Sequence, residues 1–335
     1  MTSVIKMDIV GCGAVVQEYH VPILRLLKKR FHLSIRGCFD LNKINSAKVA
    51  KLLSADTHGD PDDPFNIRAV NCALIATPPD SHARYTQMYI EQGRHVFVEK
   101  PFATSFDEAQ SLVQLSKDFG VSISVGHLRR YFPSVKTARN FVASGGLGKI
   151  TKIEASEGMR WEWPSRSQYF LESKFGGVIY DTGSHLLDMV LFILSLDNAT
   201  NDISHKIISI KKKPNKEPSN QCSARIEIRT LNDSIPIDLL ISRTEPRANV
   251  IKIYGERAIL LIPSSFSISP HLIFNNQLFL LNSTHTDHYP TSVLGCFVRE
   301  FEDFFSSFNT GHSDNLINAS NFLLLSSILE SLALA

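Results

Sequence analysis

Four times in the first hundred residues a short apolar run, rich in β-branched side chains, ends on a residue able to touch a ligand and gives way to a helical pattern. Residues 4–10 end at Gly11, 33–39 at Asp40, 71–76 at Thr77, and 95–98 at Glu99-Lys100. A fifth run, 121–125, follows a helical pattern over 106–119. Strands alternating with helices at this pitch pair in parallel, because each crossover helix returns the chain to the same end of the sheet. Ligands of such doubly wound sheets sit at the carboxyl ends of the strands. The four chemistry-bearing residues all fall there.

The first of these ends is the most specific. Gly11-Cys12-Gly13-Ala14-Val15-Val16 follows a strand and opens a helix running through Ile23, Leu24, Leu26 and Leu27. This is the context of a dinucleotide fingerprint. Gly11 permits the tight turn, and Gly13 lets a pyrophosphate approach the amides at the helix start. Gly11, Gly13, Ala14 and Val15 are therefore cofactor candidates, while Val16 replaces the third small residue and relaxes the packing of helix on strand. Asp40 stands where a carboxylate would accept from both adenosine ribose hydroxyls and repel a 2′-phosphate. That favours NAD, with NADP left open by the nearby Arg36 and Lys43; the competing reading of Asp40 is a helix cap. Thr77-Pro78-Pro79-Asp80-Ser81-His82 stops the third run, with Asp80 or Ser81 capping the next helix. Lys100, aimed by Pro101, would donate to a substrate oxygen and stabilise an alkoxide.

Composition narrows the partners. The chain has 335 residues, enough for two domains, with 43% hydrophobic and 20% charged residues. A net charge of +2 gives no reason to expect nucleic acid. Its five cysteines form no C-x-x-C pair, which fits reduced thiols in the cytoplasm. The amino terminus does not read as a signal peptide, and no apolar run is long enough to span a membrane. His285-x-x-His288 with Asp287 lacks a third and fourth ligand, so no metal is expected.

Further on, residues 176–188 read Gly-Gly-Val-Ile-Tyr-Asp-Thr-Gly-Ser-His-Leu-Leu-Asp. On a helix, Asp181 and His185 leave one face, and a carboxylate beside an imidazole is a usable acid/base unit. The alternative is a capping Asp and a core His. Arg160-Trp161-Glu162-Trp163-Pro164-Ser165-Arg166 offers aromatic faces and guanidinium forks suited to a sugar, or alternatively ordinary loop packing. A helix is expected over 134–143. Strands are expected over 149–156, 207–211, 223–229, 235–242 and 250–254, with one further pair between 258 and 281; Lys211-Lys212-Lys213 with Lys216 marks a solvated hairpin. Helices over 297–308 and 316–334 close the chain.

These motifs, in this order, resemble the glucose–fructose oxidoreductase / inositol dehydrogenase / MocA family. The matching residues are Gly11-Cys12-Gly13-Ala14, Ala76-Thr77-Pro78-Pro79 with His82, and Glu99-Lys100-Pro101-Phe102-Ala103. Arg130-Tyr131-Phe132-Pro133, Gly146-Leu147-Gly148-Lys149-Ile150 and Gly176-Gly177 to Asp181-x-Gly183-x-His185-x-x-Asp188 complete the set. Two departures are Val16 and Phe175, the latter where a third glycine commonly precedes Gly176.

The resemblance implies an α/β Rossmann domain over 1–125, contributing Thr77, Pro78, His82 and Glu99 besides the glycine turn to cofactor binding. It implies an α+β domain over 126–335 for substrate and oligomerisation, an open, mostly antiparallel sheet with helices on one face; the final helices are open to packing back on the first domain. Catalysis falls on Lys100, Asp181 and His185, with Arg130, Tyr131, Trp161, Trp163 and Tyr180 as substrate-contact candidates. The implied activity is hydride transfer between NAD(P) and a secondary alcohol or ketone of a sugar, cyclitol or sugar nucleotide. The alternative is an NAD-binding member without net redox turnover, either an internally recycling glycosidase-like enzyme or a sensor. A homodimer or homotetramer through the second sheet is the implied assembly.

Overall fold

A computed structural model of the chain describes residues 4–59, 70–160, 177–197, 203–213, 219–282, 290–310 and 316–335. Trp161, Trp163, Phe175, Gly176, Lys216 and the His285–His288 segment lie outside them. The described residues form two compact units. One comprises those up to Gly126 together with Phe297–Ser320, and the other those from His127 to Cys296 together with Asn321–Ala335.

In the first unit six strands pair in parallel: β1 (Ile5–Val10), β2 (Leu33–Phe39), β3 (Thr57–Gly59), β4 (Cys72–Ile75), β5 (His95–Glu99) and β6 (Ile123–Gly126). Their order is β3-β2-β1-β4-β5-β6, so the winding direction reverses between β1 and β4. β4 is buried at every position and β1 at its last four, as a sheet covered on both faces requires. The three-residue β3 was not expected; Thr-His-Gly carries no strand pattern, and pairing with β2 alone makes it one.

The connecting helices are α1 (Val21–Arg30), α2 (Lys43–Leu53), α3 (His82–Ile90) and α4 (Phe106–Asp118). α4 is capped by Ser105, whose Oγ accepts from the Glu108 amide at 3.2 Å, while Glu108 Oε2 accepts from the Thr104 amide at 3.2 Å. The chain returns to this unit in the helix Val293–Thr310, whose Phe297, Phe301, Phe304 and Phe305 are buried on one helical stripe. Phe301 stacks on Phe97 of β5 at 4.7 Å.

The second unit holds an eight-stranded sheet. Its strands are β7 (Ile150–Gly158), β8 (Ser204–Lys213), β9 (Gln221–Arg229), β10 (Ser234–Ser242), β11 (Val250–Gly255), β12 (Ile259–Pro263), β13 (His271–Phe274) and β14 (Gln277–Leu280). The order is β14-β13-β12-β11-β7-β10-β9-β8, antiparallel except between β7 and β10. Three strands occupy the stretch read as a pair, because Asn275 and Asn276, both at positive φ, fold β13 and β14 into a tight hairpin.

Alternation along β9 and β10 buries Ile226, Ile228, Ile237 and Ile241, while Arg225 and Asp238 face away. Helices α5 (Pro133–Ala143), α6 (Ser184–Ile193) and α8 (Leu323–Leu334) pack on β12, β7 and β8 respectively; Val293–Thr310 is α7. On the other side Lys152 bridges Glu154 (2.8 Å) and Asp238 (3.0 Å), and Arg225 holds Asp238 through two bonds of 2.6 and 2.9 Å.

Candidate active site

The glycine turn sits at the end of β1. Gly11 has φ +88°, and a Cβ there would lie 2.4 Å from the Ala76 carbonyl oxygen, so neither the conformation nor the space admits a side chain. A Cβ on Gly13 would meet nothing within 4 Å. Packing within the chain therefore does not demand that glycine, whereas a ligand drawn up to the turn would. The next residues form a wide π-helical turn, Val16–His20, with Val16 wholly buried in place of a small third residue.

Asp40 braces this turn. Its Oδ2 accepts from the Cys12 amide at 2.7 Å, and its Oδ1 accepts from the Asn42 amide at 2.7 Å. The cap of α2 is Asn42, whose side chain accepts from the Ile44 amide at 3.0 Å; Asp40 is thus not the cap. Each carboxylate oxygen retains a lone-pair site for a ribose hydroxyl. Arg36, the residue weighed against an NAD preference, forms an ion pair with Asp56.

At the end of β4, Ser81 Oγ donates to the Thr77 hydroxyl and the Pro78 carbonyl, both at 2.8 Å, and does not cap α3. His82 is 1% exposed, with Nδ1 2.7 Å from the Pro101 carbonyl oxygen and Nε2 2.8 Å from that of Thr77. Burial lowers its pKa against the pull of both carbonyls. A neutral ring donates to only one of them at a time. His82 thus spends its polar atoms tying two loops.

After β5, Glu99 Oε1 lies 2.7 Å from His20 Nε2, and its Oε2 accepts from the Lys100 amide at 3.2 Å. Burial alone would raise the Glu99 carboxyl, but His20, Lys100 and His82 together bring it below its ordinary value. The Lys100–Pro101 bond is cis.

In the second unit, Asp181 lies in a π-helical turn, Ile179–Gly183, that leads into α6, and His185 is on the first turn of α6. Asp181 Oδ2 is 2.5 Å from Nη2 of Arg243, which directly follows β10 and is 4% exposed. Asp181, expected to act with His185 as an acid/base unit, forms an ion pair with Arg243. Arg243 was overlooked, and the one signal for it was a charge at the end of a buried strand. The His185 ring meets His127 edge-on, centroids 5.9 Å apart.

Three of the residues expected to contact substrate, Arg130, Tyr131 and Tyr180, are buried. Arg130 is fully buried, between Phe192 and Phe322, with its guanidinium over the rings at 4.9 and 4.2 Å. Its Nε and Nη2 donate to Asp188 Oδ1 at 3.0 and 2.6 Å, and Nη1 donates to Asp197 at 2.9 Å. Tyr131 is 1% and Tyr180 3% exposed. Arg130 and Tyr131 therefore belong to the interior of the unit, and Tyr180 is buried in the turn that carries Asp181. Among the described residues no cluster of side chains suits a metal ion.

The chain belongs to the Gfo/Idh/MocA oxidoreductase family: residues 5–127 match its NAD-binding Rossmann fold and 135–260 its C-terminal domain. It is 24% identical over 246 residues to an uncharacterized oxidoreductase of Schizosaccharomyces pombe, covering 72% of this chain and 65% of the relative. It is 24% identical to scyllo-inositol 2-dehydrogenase (NADP(+)) of Bacillus subtilis, covering 58% and 53%. The chain thus spans between half and two thirds of the length of these curated relatives. A crystal structure of an oxidoreductase from Thermotoga maritima superposes with a TM-score of 0.77 at 18% identity, covering 99% of this chain and 96% of the other.

Proposed function

We propose that the protein is an NAD(H)-dependent oxidoreductase acting on a secondary alcohol or ketone of a sugar, cyclitol or sugar nucleotide. One observation carries this reading: Gly11, Asp40, Thr77 and Lys100 follow the ends of four adjacent parallel strands, β1, β2, β4 and β5, on both sides of the reversal between β1 and β4. The nicotinamide supplies the hydride acceptor or donor. The turn around Gly13 fits a pyrophosphate, since a Cβ there would project into space that no protein atom fills. Asp40 accepts from the adenosine ribose. Lys100 donates to the reacting oxygen, and His185 carries the proton that leaves or joins it. Asp181, held by Arg243, accepts from a neighbouring hydroxyl. The inositol dehydrogenase among the relatives supports a polyol substrate.

The test is to follow nicotinamide absorbance with a panel of cyclitols, sugars and keto-sugars. His185→Ala should keep cofactor binding while turnover falls by about 10²–10⁴. Conversion of substrate with no net change in nicotinamide would instead establish the internally recycling reaction.

The same reading places the protein in the cytoplasm as a homodimer or homotetramer joined through the second sheet. Its five cysteines are buried free thiols, and no described helix is long and apolar enough to cross a membrane. The edge strand β14 exposes Leu278, Phe279 and Leu280, an unprotected edge of the kind that association covers. Light scattering that shows a monomer at all working concentrations would overturn the assembly.

A further inference from the structure

Side chains pin the peptides on both sides of Cys12 in the glycine turn. The Cys12 amide donates to Asp40 Oδ2 at 2.7 Å, and the Cys12 carbonyl accepts from Gln17 Nε2, also at 2.7 Å. Gln17 is half-buried in the π-helical turn Val16–His20, and its own amide donates to the Gly13 carbonyl at 3.1 Å. One residue thus holds the carbonyls of two successive residues of the turn.

In a trans peptide the carbonyl and the following N–H point in opposite directions. The bond from Gln17 draws the Cys12 carbonyl towards it, so the Gly13 amide of the same peptide is turned away from Gln17. Glycine leaves that peptide plane free to rotate, and Gln17 removes the freedom. Gly13 is also where a Cβ would meet nothing within 4 Å.

The orientation of the Gln17 amide is itself selected. Lys48, exposed on α2, donates from Nζ to Gln17 Oε1 at 2.6 Å. An ammonium only donates and a backbone carbonyl only accepts, so one orientation of the Gln17 amide serves both and the flipped one serves neither. Asn45 Oδ1, 3.4 Å from Gln17 Nε2, favours the same orientation. A glutamate here would keep Lys48 as a partner but would set a carboxylate oxygen against the Cys12 carbonyl.

We propose that Gln17 is a positioning residue for the cofactor, holding the Gly13 amide ready for a pyrophosphate oxygen through the Cys12–Gly13 peptide, and that Lys48 acts through Gln17. This rests on the reading of the turn as the pyrophosphate site. A donor already in place spares the ligand the cost of ordering it, so its loss is read in affinity.

The test uses the full chain and two probes, NADH by fluorescence titration and adenosine, which has no pyrophosphate, by NMR titration, with urea unfolding alongside. Gln17→Leu should raise the NADH Kd about fivefold to tenfold, leave the adenosine Kd within about twofold and keep the urea midpoint. Gln17→Glu should weaken NADH at least as much. Lys48→Met should weaken NADH about threefold alone and add nothing in the Gln17→Leu background. Full additivity of the two substitutions would mean that Lys48 meets the cofactor itself, which overturns the relay. Unchanged NADH affinity in Gln17→Leu would overturn the proposal and leave the cofactor site standing. Equal losses for NADH and adenosine with a lowered urea midpoint would make Gln17 a structural brace only, which also overturns it. A wild type that binds neither NADH nor NADPH would instead remove the pyrophosphate reading, and the proposal with it.

Discussion

The Asp40 carboxylate accepts from the amide of Cys12 at 2.7 Å, binding the end of β2 to the middle of the glycine turn. One residue therefore fixes the loop proposed to hold the pyrophosphate and offers the charge proposed to choose between NAD and NADP. Two substitutions separate these roles. Asp40→Asn keeps an acceptor for the Cys12 amide but turns an NH2 towards the Asn42 amide and removes the charge, so it should weaken NAD(H) use modestly and improve NADP(H). Asp40→Ser gives up the brace as well and should weaken both cofactors while narrowing their ratio. The wild-type preference for NAD(H) should be on the order of a hundredfold in affinity, from a lost ribose bond plus like-charge repulsion. Equal kcat/KM for the two cofactors in the wild type would leave Asp40 as a brace alone.

Arg243 is the counter-charge of Asp181 and is itself buried. Removing one member of a buried pair strands the other, which is destabilising by about 3 kcal/mol, at the lower end of the range because Asp181 keeps some exposure. Arg243→Ala should lower the urea midpoint accordingly and reduce turnover at least tenfold, about 1.4 kcal/mol of barrier. Arg243→Lys should recover part of the stability but less of the rate, since an ammonium cannot reproduce the guanidinium fork. Arg243→Ala with wild-type kcat/KM would show that Asp181 works without it.

What the sequence made legible was the part fixed by short-range pattern. The apolar runs at 33–39 and 235–242 need only their alternation and length to be strands, and Asp40 and Lys100 are adjacent in sequence to the strands that place them. Arg243 was missed because its meaning is non-local: it follows a strand, and only the paired fold shows what it faces. The burial of Arg130 is non-local in the same way: nothing near it in sequence reveals that Asp188 and Asp197 will be carried to it and let its charge be buried. The length of the Val293–Thr310 helix was underestimated at both ends, since only its phenylalanine stripe carries the helical period.

That burial makes Arg130 a stability residue. Arg130→Met fills much of the volume between Phe192 and Phe322 but leaves Asp188 and Asp197 without their shared cation. The expected loss is about 3–5 kcal/mol by urea unfolding. Arg130→Lys should lose about 2 kcal/mol, because one ammonium cannot serve two carboxylates and stack on two rings. A variant of unchanged stability with raised KM would instead show that Arg130 serves substrate binding.

The last prediction concerns Asp8, a carboxyl buried inside β1 with its Oδ2 accepting from Tyr89 Oη at 3.0 Å. Burial pushes its pKa up from 3.8 to about 6, against the bonds from Tyr89 and Gly37 and the charge of Arg36. A folded-state pKa raised above the unfolded one means the native state binds the proton more tightly. The stability that Asp8 contributes is therefore fully present below pH 3.8, is lost progressively as pH rises towards about 6, and is gone above it. Over that window the loss amounts to about 3 kcal/mol, with desolvation of the anion as its source. Asp8→Asn keeps an acceptor for Tyr89 and never ionises. Its stability relative to the wild type should thus be greater at about pH 7.5 than at about pH 4.5, by about 2 kcal/mol in urea unfolding. A relative stability that is flat across this range would mean that the Asp8 anion is accommodated inside the sheet as easily as in water.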